Sequence, residues 1–189
     1  MSQAQTIVLP LPRLPGAHGA RRALPDANAR ESLSLEQIST VLWAGTAFRQ
    51  QRHGRAALPA RLRPLVALYA VLPQGTYRYE PVEHSLVLVT PRDLRRRIAP
   101  ASGMHSVLDL LYVDCCTPEE EEEWEECGIL AGAGPAHMAQ NVAAHCASIG
   151  LLASVAPRIS PQLAAALDLP PPHRIALVQR IGYPAAGPH

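Results

Sequence analysis

The chain has 189 residues, 48% of them hydrophobic, with a formal net charge of +1. This suits one domain with a real core and excludes global disorder. Apart from histidine, every basic side chain is Arg. A Schiff-base lysine and a phosphate-loop lysine are therefore both excluded, and anion binding falls to Arg or to backbone N–H groups. The charge is unevenly spread: residues 1–100 carry 14 Arg against 6 acids, a net of +8, and residues 101–189 carry 3 Arg against 10 acids, a net of −7. Opposite halves attract one another, within a chain or across a dimer. The arginines from Arg13 to Arg97 are scattered and lack aromatic neighbours for base stacking, which argues against a nucleic-acid partner.

Residues 1–20 read as an extended N-terminal arm, because Pro10, Pro12 and Pro15 forbid a helix; Ile7-Val8-Leu9 suits a short strand. Ser34 and Gln37 have capping-box spacing. The helix behind them is expected to bury Leu35, Ile38, Val41, Leu42 and Trp43 and to end near Gly45. Residues 48–63 read as a cationic loop. Leu65–Leu72 is a continuous apolar run, expected as a central strand buried on both faces. Thr76–Tyr79 and Ser85–Val89 form a hairpin.

Thr90-Pro91, Thr117-Pro118 and Ser160-Pro161 each read as a helix start with an N-cap followed by Pro. Val107–Val113 is a second buried strand. Glu119–Glu123 lie near the positive end of a helix dipole and read as a solvated face, since adjacent carboxylates point around a helix and do not converge on a metal. Ala136–Ile149 is a helix with Met138, Val142, Cys146 and Ile149 on one face. His137, Asn141 and His145 share another face, read as a polar stripe and not as a metal site. Gly150 is the expected C′ residue. Arg174–Ile181 is the last strand, ended by Gly182-Tyr183-Pro184.

Cys115, Cys116, Cys127 and Cys146 fit no zinc spacing, and Cys115–Cys116 read as reduced buried thiols. No apolar run has signal-peptide character or bilayer length. These features favour a cytoplasmic protein with no membrane partner.

Five segments carry a family resemblance. They are Leu33–Ser39 leading to Leu42-Trp43-Ala44, Gly54–Ala57, Gly75–Tyr79, Gln140-Asn141 through Cys146-Ala147-Ser148 to Gly150-Leu151, and Ile181–Pro184. In this order the chain resembles the FMN-dependent nitroreductase superfamily, especially short members of the type of the SagB-like dehydrogenases, over roughly residues 7–184. The resemblance implies an α+β fold, a mixed and mainly antiparallel sheet flanked by helices, in an intertwined homodimer. It divides the chain into an arm (1–20), a domain (21–184) and a tail (185–189). It also implies FMN at the dimer interface, reduced by NAD(P)H and reoxidised by a second substrate, a small molecule or a peptide.

The resemblance transfers flavin contacts only in part. The family's Arg-Arg-Ser-x-Arg phosphate grip falls either on Arg21-Arg22 or, in a second alignment, on Asn28-Ala29-Arg30. Arg22, Arg30 and Arg55 are the candidate phosphate and ribityl ligands, and the backbone at Gly150 and Leu151 is the candidate ring contact. No side chain is assigned a catalytic role, since flavin hydride transfer needs no dedicated protein base. After Gly54-Arg55, polar family positions become Ala56-Ala57-Leu58-Pro59-Ala60, Leu62 and Pro64. Ala185 and Ala186 stand where a basic residue often follows Gly-Tyr-Pro and helps with the phosphate; Arg180, inside the last strand, is a candidate substitute, and new contacts from Arg55, Arg61 or Arg63 are the other compensation. The resemblance therefore implies weakened FMN binding, or a flavin-free pseudoenzyme serving as a binding partner or scaffold.

Overall fold

In a computed structural model, the chain is described for residues 5–12, 32–53, 65–98, 104–116 and 125–185, the side chains of 47–53 and 125–132 excepted. Ser34 and Gln37 close the expected capping box. The Gln37 N–H donates to Ser34 Oγ at 3.2 Å, and the Ser34 N–H donates to Gln37 Oε1 at 2.9 Å. This starts α1, Leu35–His53. Ile38, Val41 and Leu42 are buried as expected, whereas Leu35 is exposed and Trp43 only half-buried.

The helix does not stop at Gly45. A Cβ there would lie 3.2 Å from Val142 and 3.5 Å from Leu68, so this glycine lets α1 approach the second long helix closely. The N-terminal part of the expected cationic loop, through His53, is accordingly helical.

That second helix, α2, spans Glu125–Ser148 with Pro135 inside it, and so begins well before the expected Ala136. Met138, Val142 and Cys146 are buried, and Ile149 packs against the same core. Its C-terminus is a Schellman motif: Gly150, at φ 78, donates its N–H to Ala147 O, and Leu151 donates to Cys146 O at 2.9 Å.

The strands are β1 Thr6–Val8, β2 Val66–Leu72, β3 Gly75–Glu80, β4 Ser85–Thr90, β5 Met104–Asp114, β6 Leu152–Val155 and β7 Arg174–Pro184. They form one sheet in the order β1-β4-β3-β2-β5-β7-β6. Every ladder among the described residues is antiparallel, and the α+β class stands. Strand alternation sends Leu68, Ala70 and Leu72 of β2 to the face under α1 and α2, and Tyr69 and Val71 to the opposite face. β2 is thus buried on both sides, as its unbroken apolar run requires.

The opposite face is covered by a 3-10 turn, Arg95–Arg97, and by the short helix α3, Pro161–Leu167, which contributes Leu163 and Leu167. The helix expected at Thr90-Pro91 is therefore replaced. Thr90 ends β4, and Asp93 Oδ1 accepts the Arg95 N–H at 3.0 Å, nucleating a tighter turn a few residues later.

β7 also runs further than expected, through Gly182. A register shift between Ser106 and Leu108 brings β5 so close that a Cβ on Gly182 would sit 1.9 Å from the His105 carbonyl oxygen. Gly182 is needed for that approach, and it does not end the strand. β6 has no counterpart in the sequence expectations. The acidic run Glu119–Glu123 lies outside the described residues.

Cys116 is disulfide-bonded, whereas Cys115 and Cys146 are thiols. Reduced thiols were expected at both Cys115 and Cys116. The bridge overturns that at Cys116 and removes the thiol argument for a cytoplasmic setting. No C-x-x-C spacing announced it, because tertiary placement sets the pairing. Burial pushes the Cys146 thiol up to about 12, so it stays protonated and behaves as a small apolar side chain.

Candidate functional site

Two segments singled out by sequence meet in space. α2 ends at Ser148, and the turn through Gly150-Leu151 leads directly into β6, where Leu152 pairs with Gly182 of β7. The C-terminal Gly182-Tyr183-Pro184 therefore lies beside the turn after α2. β6 forms one end of the sheet order. Ala156 N–H donates to Val178 O in the same register, so hydrogen-bonded pairs alternate back through Ser154 and Leu152. The backbone N–H and C=O groups of Ala153 and Val155 consequently point away from β7. The Leu151 N–H, in contrast, is spent on the Schellman bond. Among the described residues, the backbone donors near this turn that have no partner are thus those of Ala153 and Val155 in β6; Ala153 belongs to the Gly150–Ala153 stretch expected to face the ring. Arg22, Arg30 and Arg55 lie outside the described residues.

Arg180, the possible substitute for a missing phosphate ligand, is engaged elsewhere. Its Nε donates to Asp109 Oδ1 at 3.1 Å, and Ser106 Oγ donates to the same oxygen at 2.6 Å. Asp109 is fully buried, and its Oδ2 finds no hydrogen-bond partner among the described residues. Burial raises the Asp109 pKa, opposed by the Ser106 bond and the Arg180 charge. Sequence reasoning missed this pair. The only signal was a charged residue inside each of two apolar strands.

A second network ties the N-terminal arm to the body. Tyr79 Oη lies 2.7 Å from His84 Nδ1, and His84 Nε2 lies 3.0 Å from Pro10 O and 2.7 Å from Ser39 Oγ; Ser39 Oγ donates to Pro10 O at 2.6 Å. With Nε2 carrying the proton, Tyr79 donates to Nδ1 and every group finds a role. Ser39 is fully buried, so this serine–histidine contact joins α1, the β3–β4 turn and the arm and gives no substrate a nucleophile.

On the opposite face, Arg96, Arg97 and Arg158 line an open cleft of about 390 Å³ together with Ile98, Ile159, Ser160, Pro161 and Gln162. Among the described residues, no group of three or more His, Cys, Asp or Glu converges, at His137 and His145 or elsewhere.

No family model and no curated protein matches the chain. Solved structures do. A protein of Ralstonia eutropha JMP134 assigned as a nitroreductase aligns with a TM-score of 0.72 and 29% identity, over 98% of this chain and 93% of that one. The chain has the nitroreductase fold. Another protein assigned as a nitroreductase, from Anabaena variabilis ATCC 29413, gives a TM-score of 0.68 at 13% identity, over 96% of this chain but 42% of that one. The Escherichia coli microcin synthetase McbBCD complex, with truncated pro-MccB17 bound, gives 0.63 at 15%, over 88% and 71%.

Within the nitroreductase fold, the turn after α2, the open edge of β6 and the end of β7 form the described part of the candidate site. Among the described residues, no helix is long and apolar enough to cross a membrane.

Proposed function

We propose that this chain is an FMN-dependent oxidoreductase of the nitroreductase type, acting as a homodimer and accepting electrons from a nicotinamide donor. The observation that carries the reading is the Leu152–Gly182 pairing. It sets the segment to which the family resemblance assigns the flavin ring beside the C-terminal Ile181–Pro184 segment that carries the same resemblance. Identity of 29% over nearly the whole of both chains, to a protein assigned as a nitroreductase, supports it further.

The residues fit the ring end of FMN: Gly150 presents no side chain, and the edge donors of Ala153 and Val155 have no partner among the described residues and can meet a ring acceptor. The phosphate falls to Arg22, Arg30 or Arg55. FMN, when bound, supplies hydride transfer between the donor and a second substrate, while the chain holds it, orients it and limits water access.

The second reading is a flavin-free homodimer that serves as a partner or scaffold, as in the peptide-modifying complexes of SagB-type relatives. Its support is the engagement of Arg180 by Asp109 and of the Leu151 N–H by Cys146, together with the replaced polar positions after Arg55.

Titration of the purified protein with FMN, followed by flavin fluorescence, separates the two. The first reading expects saturable quenching and a thermal upshift, weaker than for a family member with all its polar contacts. No change at high micromolar FMN sinks it and leaves the second.

A further inference from the structure

We propose that the arginine-lined cleft on the face opposite α1 and α2 is a binding site for a small organic phosphate: a ligand with at least two negative charges on an apolar body. Eight arginines have described side chains. Four have a carboxylate within salt-bridge distance: Arg78 with Glu80, Arg95 with Asp93, Arg174 with Asp114 and Arg180 with Asp109. Of the remaining four, Arg96, Arg97 and Arg158 gather in this one cleft. Among the described residues, no Asp or Glu lines it and no salt bridge engages these three.

Two separate segments build it. Asp93 holds Arg95 in place through two side-chain bonds, Nε to Oδ1 at 2.9 Å and Nη2 to Oδ2 at 2.8 Å. This fixes the turn from which Arg96 and Arg97 emerge. Arg158 comes from the connection between β6 and α3, more than sixty residues away in sequence. Like charges brought together repel, Asp93 offsetting only part of this at Arg96, and a bound polyanion relieves that repulsion. Guanidinium forks match phosphate oxygens in pairs.

The volume of about 390 Å³ exceeds what an inorganic ion fills and lies in the range of small-molecule sites, about 300–1,000 Å³. Ile98, Ile159 and Pro161 supply an apolar lining for the body of the ligand. Gln162 and Ser160 add polar groups beside it.

Calorimetric titration of the full chain with ADP, with inorganic pyrophosphate and with a Glu-rich peptide tests the site, repeated on Arg96→Gln/Arg158→Gln. We expect ADP to bind more tightly than pyrophosphate and the peptide. The double variant should lose about a hundredfold or more in ADP affinity, as removal of two charge-assisted contacts implies, with its melting temperature unchanged because both side chains are exposed. Saturating FMN should leave ADP binding intact, and the double variant should leave any FMN binding intact. Equal ADP affinity in the variant overturns the site. Tighter binding of the peptide makes the cleft a protein-docking face instead. Displacement of ADP by FMN makes it part of the flavin site. Absence of FMN binding, with ADP still bound through these arginines, leaves this inference standing while the flavin reading fails.

Discussion

Asp109 and Arg180 face each other across the β5–β7 ladder, with the guanidinium Nε donating to a fully buried carboxylate oxygen at 3.1 Å. Burial raises the pKa of Asp109 despite this partner, so folding favours its protonated form. A raised folded pKa contributes stability that is complete below the ordinary carboxylate range and is lost as pH rises through the folded value. The advantage of the native chain over Asp109→Asn should therefore shrink between pH 4 and pH 7 in urea unfolding. A gap that widens instead would mean that the Arg180 charge outweighs burial. Arg180→Met leaves the carboxylate uncompensated and should cost about 3 kcal/mol at pH 7, and less at pH 4, where Asp109 takes a proton.

His84 gives the opposite sign. Burial lowers its pKa, so the fold favours neutral imidazole, and the stabilisation is lost as pH falls below the ordinary value of about 6.5 and through the folded one. Its ring holds Pro10 O, and its backbone carbonyl accepts the Leu9 N–H at 3.0 Å. The arm should therefore loosen first. At pH 5, amide exchange corrected for its intrinsic rate should accelerate at Leu9 and Leu88 before it does at β5. His84→Asn tolerates the positive φ of 48 and should abolish this pH dependence. Equal protection of the arm at pH 5 and pH 7 would refute the linkage.

Gly182→Ala tests the close crossing of β5 and β7. A Cβ placed 1.9 Å from a backbone carbonyl oxygen cannot be relieved by a side-chain rotation, so a strand must move. The cost should reach or exceed the upper end of ordinary overpacking, about 3 kcal/mol. Chemical unfolding measures it. A loss under 1 kcal/mol would show that the register shift near Ser106 relaxes freely.

Much of this fold is legible because local and tertiary signals agree. Ser34 and Gln37 mark a helix start, Gly150 marks an end, and the apolar run Leu65–Leu72 requires a strand covered on both faces. The errors arise where tertiary contact decides. Gly45 resembles a stop signal until Val142 explains it, and Gly182 resembles a terminator until the His105 carbonyl does. β6 is four residues long with exposed Leu152 and Val155, which leaves little alternation to read. The site is less legible than the fold for the same reason. Arg180 is indistinguishable from a ligand until its partner Asp109 is seen, and the arginines of the cleft come from segments that only folding brings together.

The phosphate end of the flavin site yields the sharpest remaining prediction. Arg22 and Arg30 belong to mutually exclusive alignments of the family's phosphate grip, so one of them should matter and the other should not. Arg180 should matter less directly, because its Nε is bonded to Asp109. Loss of a charge-assisted contact to phosphate costs about 1.5–3 kcal/mol, roughly ten- to a hundredfold in affinity. FMN titrations of Arg22→Ala, Arg30→Ala and Arg55→Ala should therefore single out Arg22 or Arg30, with Arg55 adding a smaller loss if it reaches the ribityl chain. Riboflavin, which lacks the phosphate, provides the control: a true phosphate ligand weakens FMN binding and leaves riboflavin binding unchanged. A variant that weakens both equally has damaged the fold or the ring site. If all three bind FMN as tightly as the native chain does, the phosphate is held by groups outside this set, and the transfer of the family's grip onto residues 21–30 is wrong.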